Sequence, residues 1–167
     1  MAENTNTYIN ILIDTLRKKE EILKSLLVKT EEQAALLEAD EFETEAFDTI
    51  INDKDGLLEE LKNLDDGFLD LYSRVGAELK NNTEAYAGQV KTAQELVRRQ
   101  TEISAELTSA EERNKAKLAI RLSHGRQKIK EFKVGSKTAP PCGRPTTAPP
   151  TRCRTISWSR WSSSARW

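Results

Sequence analysis

The sequence predicts an all-α protein, an elongated antiparallel bundle or coiled coil of three long helices with an irregular C-terminal tail. Two observations predict this fold. Apolar residues recur at alternating steps of three and four, a spacing that keeps one narrow seam facing a partner helix. No proline occurs between Met1 and Ala139, so nothing in that stretch forces a helix to break.

The composition favours a slender bundle over a thick globular core. Of the 167 residues, 32% are charged and 37% are hydrophobic, which suffices for helices that each bury one stripe. Residues 1–133 are acidic overall, whereas phosphate binding needs clustered Lys and Arg, so we expect no nucleic-acid partner. There is no apolar run of membrane-spanning length and no signal-peptide pattern in MAENTNTYIN. We therefore expect a cytoplasmic protein without membrane insertion.

The first helix is predicted from about Thr5 or Asn6 to Glu38. Its seam is apolar and comprises Ile9, Leu12, Leu16, Leu23, Leu26 and Leu37. Asp40 and Glu43 follow at the three-residue spacing of a capping box, which predicts a tight turn. A short connection of this kind makes the second helix an antiparallel neighbour of the first.

The second helix is predicted from about Phe42 to Leu79 and carries the most regular seam. The rungs of this seam are Phe47, Ile50, Lys54, Leu57, Leu61, Leu64, Phe68, Leu71 and Val75. The one charged rung is Lys54, whose long apolar stem can lie in the seam while its ammonium group reaches water. We therefore expect this face to pack along its full length.

The third helix is predicted from about Glu84 to Lys133, after a break at Lys80-Asn81-Asn82-Thr83, because Asn and Thr cap helices better than they continue them. Its seam is more polar, with Gln100 and Asn114 where large apolar residues are expected. Our interpretation is that the bundle satisfies this helix incompletely and leaves it available to another partner.

The last segment, residues 134–167, differs from the rest and is predicted to lie outside the helical domain of residues 1–133. It holds all five prolines, both cysteines and all three tryptophans, and it has no leucine. One interpretation is a disordered Pro/Ser/Thr/Arg-rich tail. The other is a frameshifted tail, because a one-base shift turns Trp and many Ser codons into codons for apolar residues.

The residues offer no basis for an enzyme or a metal site. His124 is the only histidine, so one chain cannot build a His-based metal cluster or a charge-relay pair. Cys142 and Cys153 lie in the tail without a CxxC pair or a second histidine. We expect no enzymatic activity, no metal and no cofactor.

The stretch LLVKTEEQAALLEADEFETEAFDTIINDKDGLLEELKNLDD resembles flagellar secretion chaperones of the FlgN type. It contains a Leu-rich helix end, an acidic link and a second helix with a Leu-Leu-x-x-Leu-x-x-Leu core at Leu57, Leu58, Leu61 and Leu64. The later segment ELTSAEERNKAKL is similar to the family's third helix, including the asparagine at position 114. The resemblance covers residues 5 to about 133.

This resemblance implies a cytoplasmic export chaperone of bacterial flagellum assembly. It would bind the C-terminal amphipathic helix of hook–filament junction proteins and then meet a component of the type III export gate, as a monomer or weak homodimer. The family's binding activity lies mostly in its late helix. The implied client-binding residues are Ile103, Leu107, Asn114, Leu118 and Leu122.

Two alternatives remain at this point. One is a structural coiled-coil protein whose helices serve self-association and hold no client. The other is a nucleic-acid or membrane adaptor that acts through the basic tail, which requires the tail to be native.

Overall fold

The computed structural model describes the backbone of residues 2–135 and the side chains of residues 4–133. These residues form three helices and no strand: α1 is Ala2–Glu38, α2 is Thr44–Asn81 and α3 is Ala87–Gly135. The all-α prediction is confirmed. The chain divides into two units, Met1–Arg121 and Leu122–Trp167. The predicted domain boundary after residue 133 stays a prediction, and nearly all of the predicted tail lies outside the described residues.

Helix α1 supplies most of the buried apolar side chains of the first unit. All six apolar residues of its predicted seam are buried. Ile9, Ile13 and Leu16 form one cluster with Leu96 of α3, and Phe68 of α2 packs against it. Because both other helices contribute to a core that α1 dominates, the stripe of α1 is satisfied along its length. The helix begins at Ala2, about three residues before its predicted start, and ends at Glu38 as predicted.

Helices α1 and α2 are antiparallel, as predicted. Lys19 Nζ donates to Asp65 Oδ1 at 2.6 Å, and Lys29 Nζ lies 3.2 Å from Asp53 Oδ2. Residue numbers therefore fall along α2 as they rise along α1. Thr5 extends the same series, since its hydroxyl donates to Glu78 at 2.7 Å.

The start of α2 differs from the predicted capping box. Glu43 occupies the N-cap position, with extended backbone angles and no hydrogen bond from its side chain to the helix. The rings of Phe42 and Phe47, one residue before the cap and four after it, lie 5.2 Å apart. Such a contact is a hydrophobic staple, which fixes how the chain enters a helix. Ring packing rather than the Asp40 carboxylate therefore marks this boundary.

The seam of α2 is less well covered than its regular spacing predicts. Only Ile50, Lys54 and Val75 among its nine rungs are buried. The six others are half-buried: Phe47, Leu57, Leu61, Leu64, Phe68 and Leu71. The expectation of packing along the full length of this face was wrong, since coverage depends on how closely the neighbouring helices approach.

The break between α2 and α3 falls where the sequence predicts it. Helix α2 ends at Asn81, and the amide of Asn82 closes it by donating to the carbonyl of Glu78. A short turn leads to α3, which begins at Ala87, three residues later than predicted. The helix continues through Gly125 to Gly135 without interruption.

Candidate functional site

All five candidate residues lie on α3, so the way α3 is held decides what they can do. Three of its side chains donate to backbone carbonyls of α1: Gln100 to Leu16 (2.6 Å), Asn114 to Thr30 (2.8 Å) and Arg121 to Leu37 (2.8 Å). Each donor lies 84 residues after its acceptor. Because the offset is constant, α3 runs parallel to α1, and the spacing of the three donors by 14 and 7 residues places them at one heptad position.

Leu107 occupies the same register, midway between Gln100 and Asn114. Its side chain is 0% exposed, and the offset of 84 places it opposite Leu23, which is also buried. This part of α3 is therefore a packing face that belongs to the bundle.

Arg121 is the last of the three donors and binds the C-terminal end of α1. Its guanidinium donates to the carbonyls of Leu37, Ala39 and Asp40 and lies 5.2 Å above the ring of Phe42. The last carbonyls of a helix have no partner within the helix and attract cations, and an arginine over an aromatic face adds a cation–π contact. One side chain thus ties α3 to the link between α1 and α2.

A buried cluster of polar side chains joins all three helices, and we call it the polar layer: Thr30, Gln33, Lys54, Glu111 and Asn114. The ammonium of Lys54 donates to Glu111 and, at 3.0 Å, to Gln33. Thr30 donates to the same Glu111 oxygen at 2.9 Å. The second carboxylate oxygen, Oε2, is buried without a hydrogen-bond partner. Lys54 therefore serves as the buried countercharge of Glu111 and does not reach water as the sequence suggested.

The five candidate residues do not form one exposed surface. Leu107 and Asn114 are buried, Ile103 and Leu118 are half-buried, and Leu122 is 54% exposed. The interpretation that polar seam residues leave α3 unsatisfied was wrong, because Gln100 and Asn114 are buried and bonded to α1. The composition of a seam does not reveal that amide side chains reach carbonyls of a neighbouring helix.

In the second unit, α3 exposes the candidate Leu122 together with two apolar side chains that were not candidates. Leu122, Ile129 and Phe132 are 54%, 57% and 79% exposed. Their spacing of seven and three residues places them on one face of the helix. Ile129 and Phe132 were not among the residues predicted from the sequence, although this spacing was a signal that could have found them.

Basic residues border that face. Arg126 lies one turn from both Leu122 and Ile129, and Lys128 lies one turn before Phe132 on the other edge. Residues 122–133 carry four basic side chains and one acidic side chain. We call this surface the basic stripe: Leu122, Arg126, Lys128, Ile129, Lys130, Phe132 and Lys133.

The earlier part of α3 carries ordinary ion pairs on its solvent side. Arg98 donates to Glu95 at 2.7 Å and to Glu102 at 2.6 Å. The hydrogen bond from Arg98 lowers the pKa of the Glu95 carboxyl, and the bond to Glu95 raises the pKa of Arg98. Exposed pairs of this kind contribute little to stability, because water and salt screen them.

Between residues 2 and 135, no helix is long and apolar enough to cross a lipid bilayer. In the same part of the chain, no three His, Cys, Asp or Glu side chains are grouped so that they could hold a metal ion.

The comparisons with known proteins give one match. The family model described as FlgN protein matches residues 1–140, which include all three helices. No match was found among curated proteins or among solved structures. Since the matched region covers most of the 167 residues, the chain belongs to the FlgN family of flagellar export chaperones.

Proposed function

We propose that this protein binds the C-terminal amphipathic helix of hook–filament junction proteins in the cytoplasm before their export. It does so without catalysis or a cofactor and then presents the client to a component of the export gate. The observation that carries the proposal is the exposed apolar face of Leu122, Ile129 and Phe132. A face of this kind stabilises a complex when it meets the apolar face of another helix.

The five candidate residues take different roles in this proposal. Leu122 contacts the client directly, and the half-buried Ile103 and Leu118 offer it their exposed edges. Leu107 and Asn114 act indirectly by holding α3 on α1. Ile129 and Phe132 join Leu122 as anchors, since exposed aromatic and aliphatic side chains lose the most water-accessible apolar surface on binding.

Isothermal titration with peptides from the C-terminal helices of junction proteins tests this assignment. Ile129→Ala and Phe132→Ala should each weaken binding by on the order of 1–2 kcal/mol, the range of interface anchors. Their melting temperatures should stay close to that of the wild type, because surface truncations rarely change stability by more than about 0.5 kcal/mol.

Two controls separate binding from folding. Val28→Ala truncates an apolar side chain of α1 that is 52% exposed, close to the 57% of Ile129, and should change neither property. Leu107→Ala should lower the free energy of unfolding by about 2–5 kcal/mol, yet at temperatures where it stays folded it should bind peptide nearly as well as the wild type. If no peptide binds at high micromolar concentration and the protein forms a tight homodimer, the structural coiled-coil alternative replaces the proposal.

A further inference from the structure

Helix α2 carries a second apolar surface that the bundle covers only in part. Leu58 and Leu61 are half-buried, while Leu69 and Tyr72 are 46% and 42% exposed. Asp65 lies between them and binds Lys19 of α1, so α1 contacts the middle of this face while Leu69 and Tyr72 stay exposed. The five residues follow one another at steps of three and four and therefore share one face of the helix. At about 1.5 Å per residue, this face is roughly 20 Å long.

This face is bordered by acidic residues. From position 53 to position 70, α2 carries seven acidic and two basic side chains, and one of the two bases, Lys54, is buried in the polar layer. Asp55, Glu59 and Asp66 are exposed beside the apolar residues. We call this surface the acidic stripe: Asp55, Leu58, Glu59, Leu61, Asp66, Leu69 and Tyr72.

The basic stripe matches the acidic stripe in length and is opposite to it in charge. Its apolar residues run from Leu122 to Phe132, roughly 15 Å at about 1.5 Å per residue, so it fits within the length of the acidic stripe. The charge separation extends over the whole described chain, since residues 1–121 carry 26 acidic and 16 basic side chains. Apolar faces bordered by opposite charges favour association in one register.

We propose that the acidic stripe of one molecule binds the basic stripe of a second copy of the same chain. Because every molecule carries both stripes, each stripe of one molecule finds its partner stripe on a second copy. The basic stripe is also the surface assigned above to the client, so a second copy covers it until a client displaces that copy. The dimer itself does not depend on the client assignment, because it concerns the protein alone.

Sedimentation velocity of the full chain under reducing conditions tests this interface. We expect a monomer–dimer equilibrium that weakens between about 50 mM and about 500 mM NaCl, since salt screens the contact. Lys128→Glu/Lys130→Glu and Glu59→Lys/Asp66→Lys should each raise the dimer dissociation constant by roughly tenfold or more.

The decisive measurement is a mixture of the two variants. In the mixture the reversed stripe of each molecule meets the reversed stripe of the other, so a heterodimer should form that neither variant forms alone. Matched reversals at exposed sites elsewhere, Lys18→Glu/Lys91→Glu and Glu21→Lys/Glu31→Lys, should dimerise like the wild type. A wild type that stays monomeric overturns the proposal. The acidic stripe would then be left for a different, basic protein. A mixture that stays monomeric also overturns the proposal.

Discussion

Lys54 shows how one buried charge can favour a single register between packed helices. Its ammonium is buried and contacts Glu111 and Gln33, side chains of the two other helices. Such a pair adds little net stability, because the desolvation of both charges offsets their attraction. A buried polar group accepts few arrangements, however, so the polar layer favours the register in which all its members meet.

Removal of one member of the polar layer should therefore be costly. In Lys54→Ala the Glu111 carboxylate remains buried without its countercharge, and we expect a loss of about 3–5 kcal/mol in the free energy of unfolding. Urea denaturation followed by far-UV circular dichroism measures this loss.

The matched control removes both charges together. Lys54→Met/Glu111→Leu should lie within about 1 kcal/mol of the wild type or above it, because apolar side chains of similar volume avoid desolvation. Gln33 keeps its contact with Asn114 in this variant. A double variant as unstable as Lys54→Ala would show that packing volume rather than charge decides stability at this site.

At the scale of the elements, the three helices bury their apolar faces to different extents. Helix α1 buries its whole predicted seam, whereas α2 leaves six of nine rungs half-buried. Between Gln100 and Arg121, α3 is bound to α1 by donors at heptad spacing. The apolar side chains that stay exposed include Leu69 and Tyr72 on α2 and Leu122, Ile129 and Phe132 on α3, which belong to the two proposed binding surfaces.

The solvent side of α3 offers a pH-dependent test of one ion pair. Because the pKa of Glu95 is lowered from its usual value of 4.5 in the folded protein, the pair stabilises the fold above that value. The contribution is lost as the pH falls through the lower, folded-state pKa. The melting temperature of Glu95→Gln should therefore lie slightly below that of the wild type at pH 7 and equal it at strongly acid pH. A difference that grows in acid would contradict this assignment.

At the scale of the whole molecule, deletion of the predicted tail tests whether it contributes to stability or binding. Composition gives residues 136–167 no leucine and all five prolines, so this segment has little apolar surface to offset the entropy of ordering. We expect that deletion of residues 136–167 leaves the melting temperature and the peptide affinity nearly unchanged. Thermal unfolding and isothermal titration of the truncated chain measure both quantities, and a large loss in either would show that the tail takes part.

The sequence by itself determined the helical class, the seam of α1, the antiparallel α1–α2 pair and the resemblance to the FlgN family. These properties follow from local periodicity and from the short links between helices, both of which are visible in the sequence.

Only the tertiary structure decided which polar residues are buried and which apolar residues stay exposed. In the sequence, Gln100 and Asn114 interrupt an apolar seam. In the structure, each donates a hydrogen bond to a backbone carbonyl of α1 that lies 84 residues earlier. In the sequence, Phe132 does not differ from the other hydrophobic residues, but in the structure its side chain is 79% exposed. The physical reason is that hydrogen bonding and burial depend on the register between helices, whereas the spacing along one helix fixes only which residues share a face.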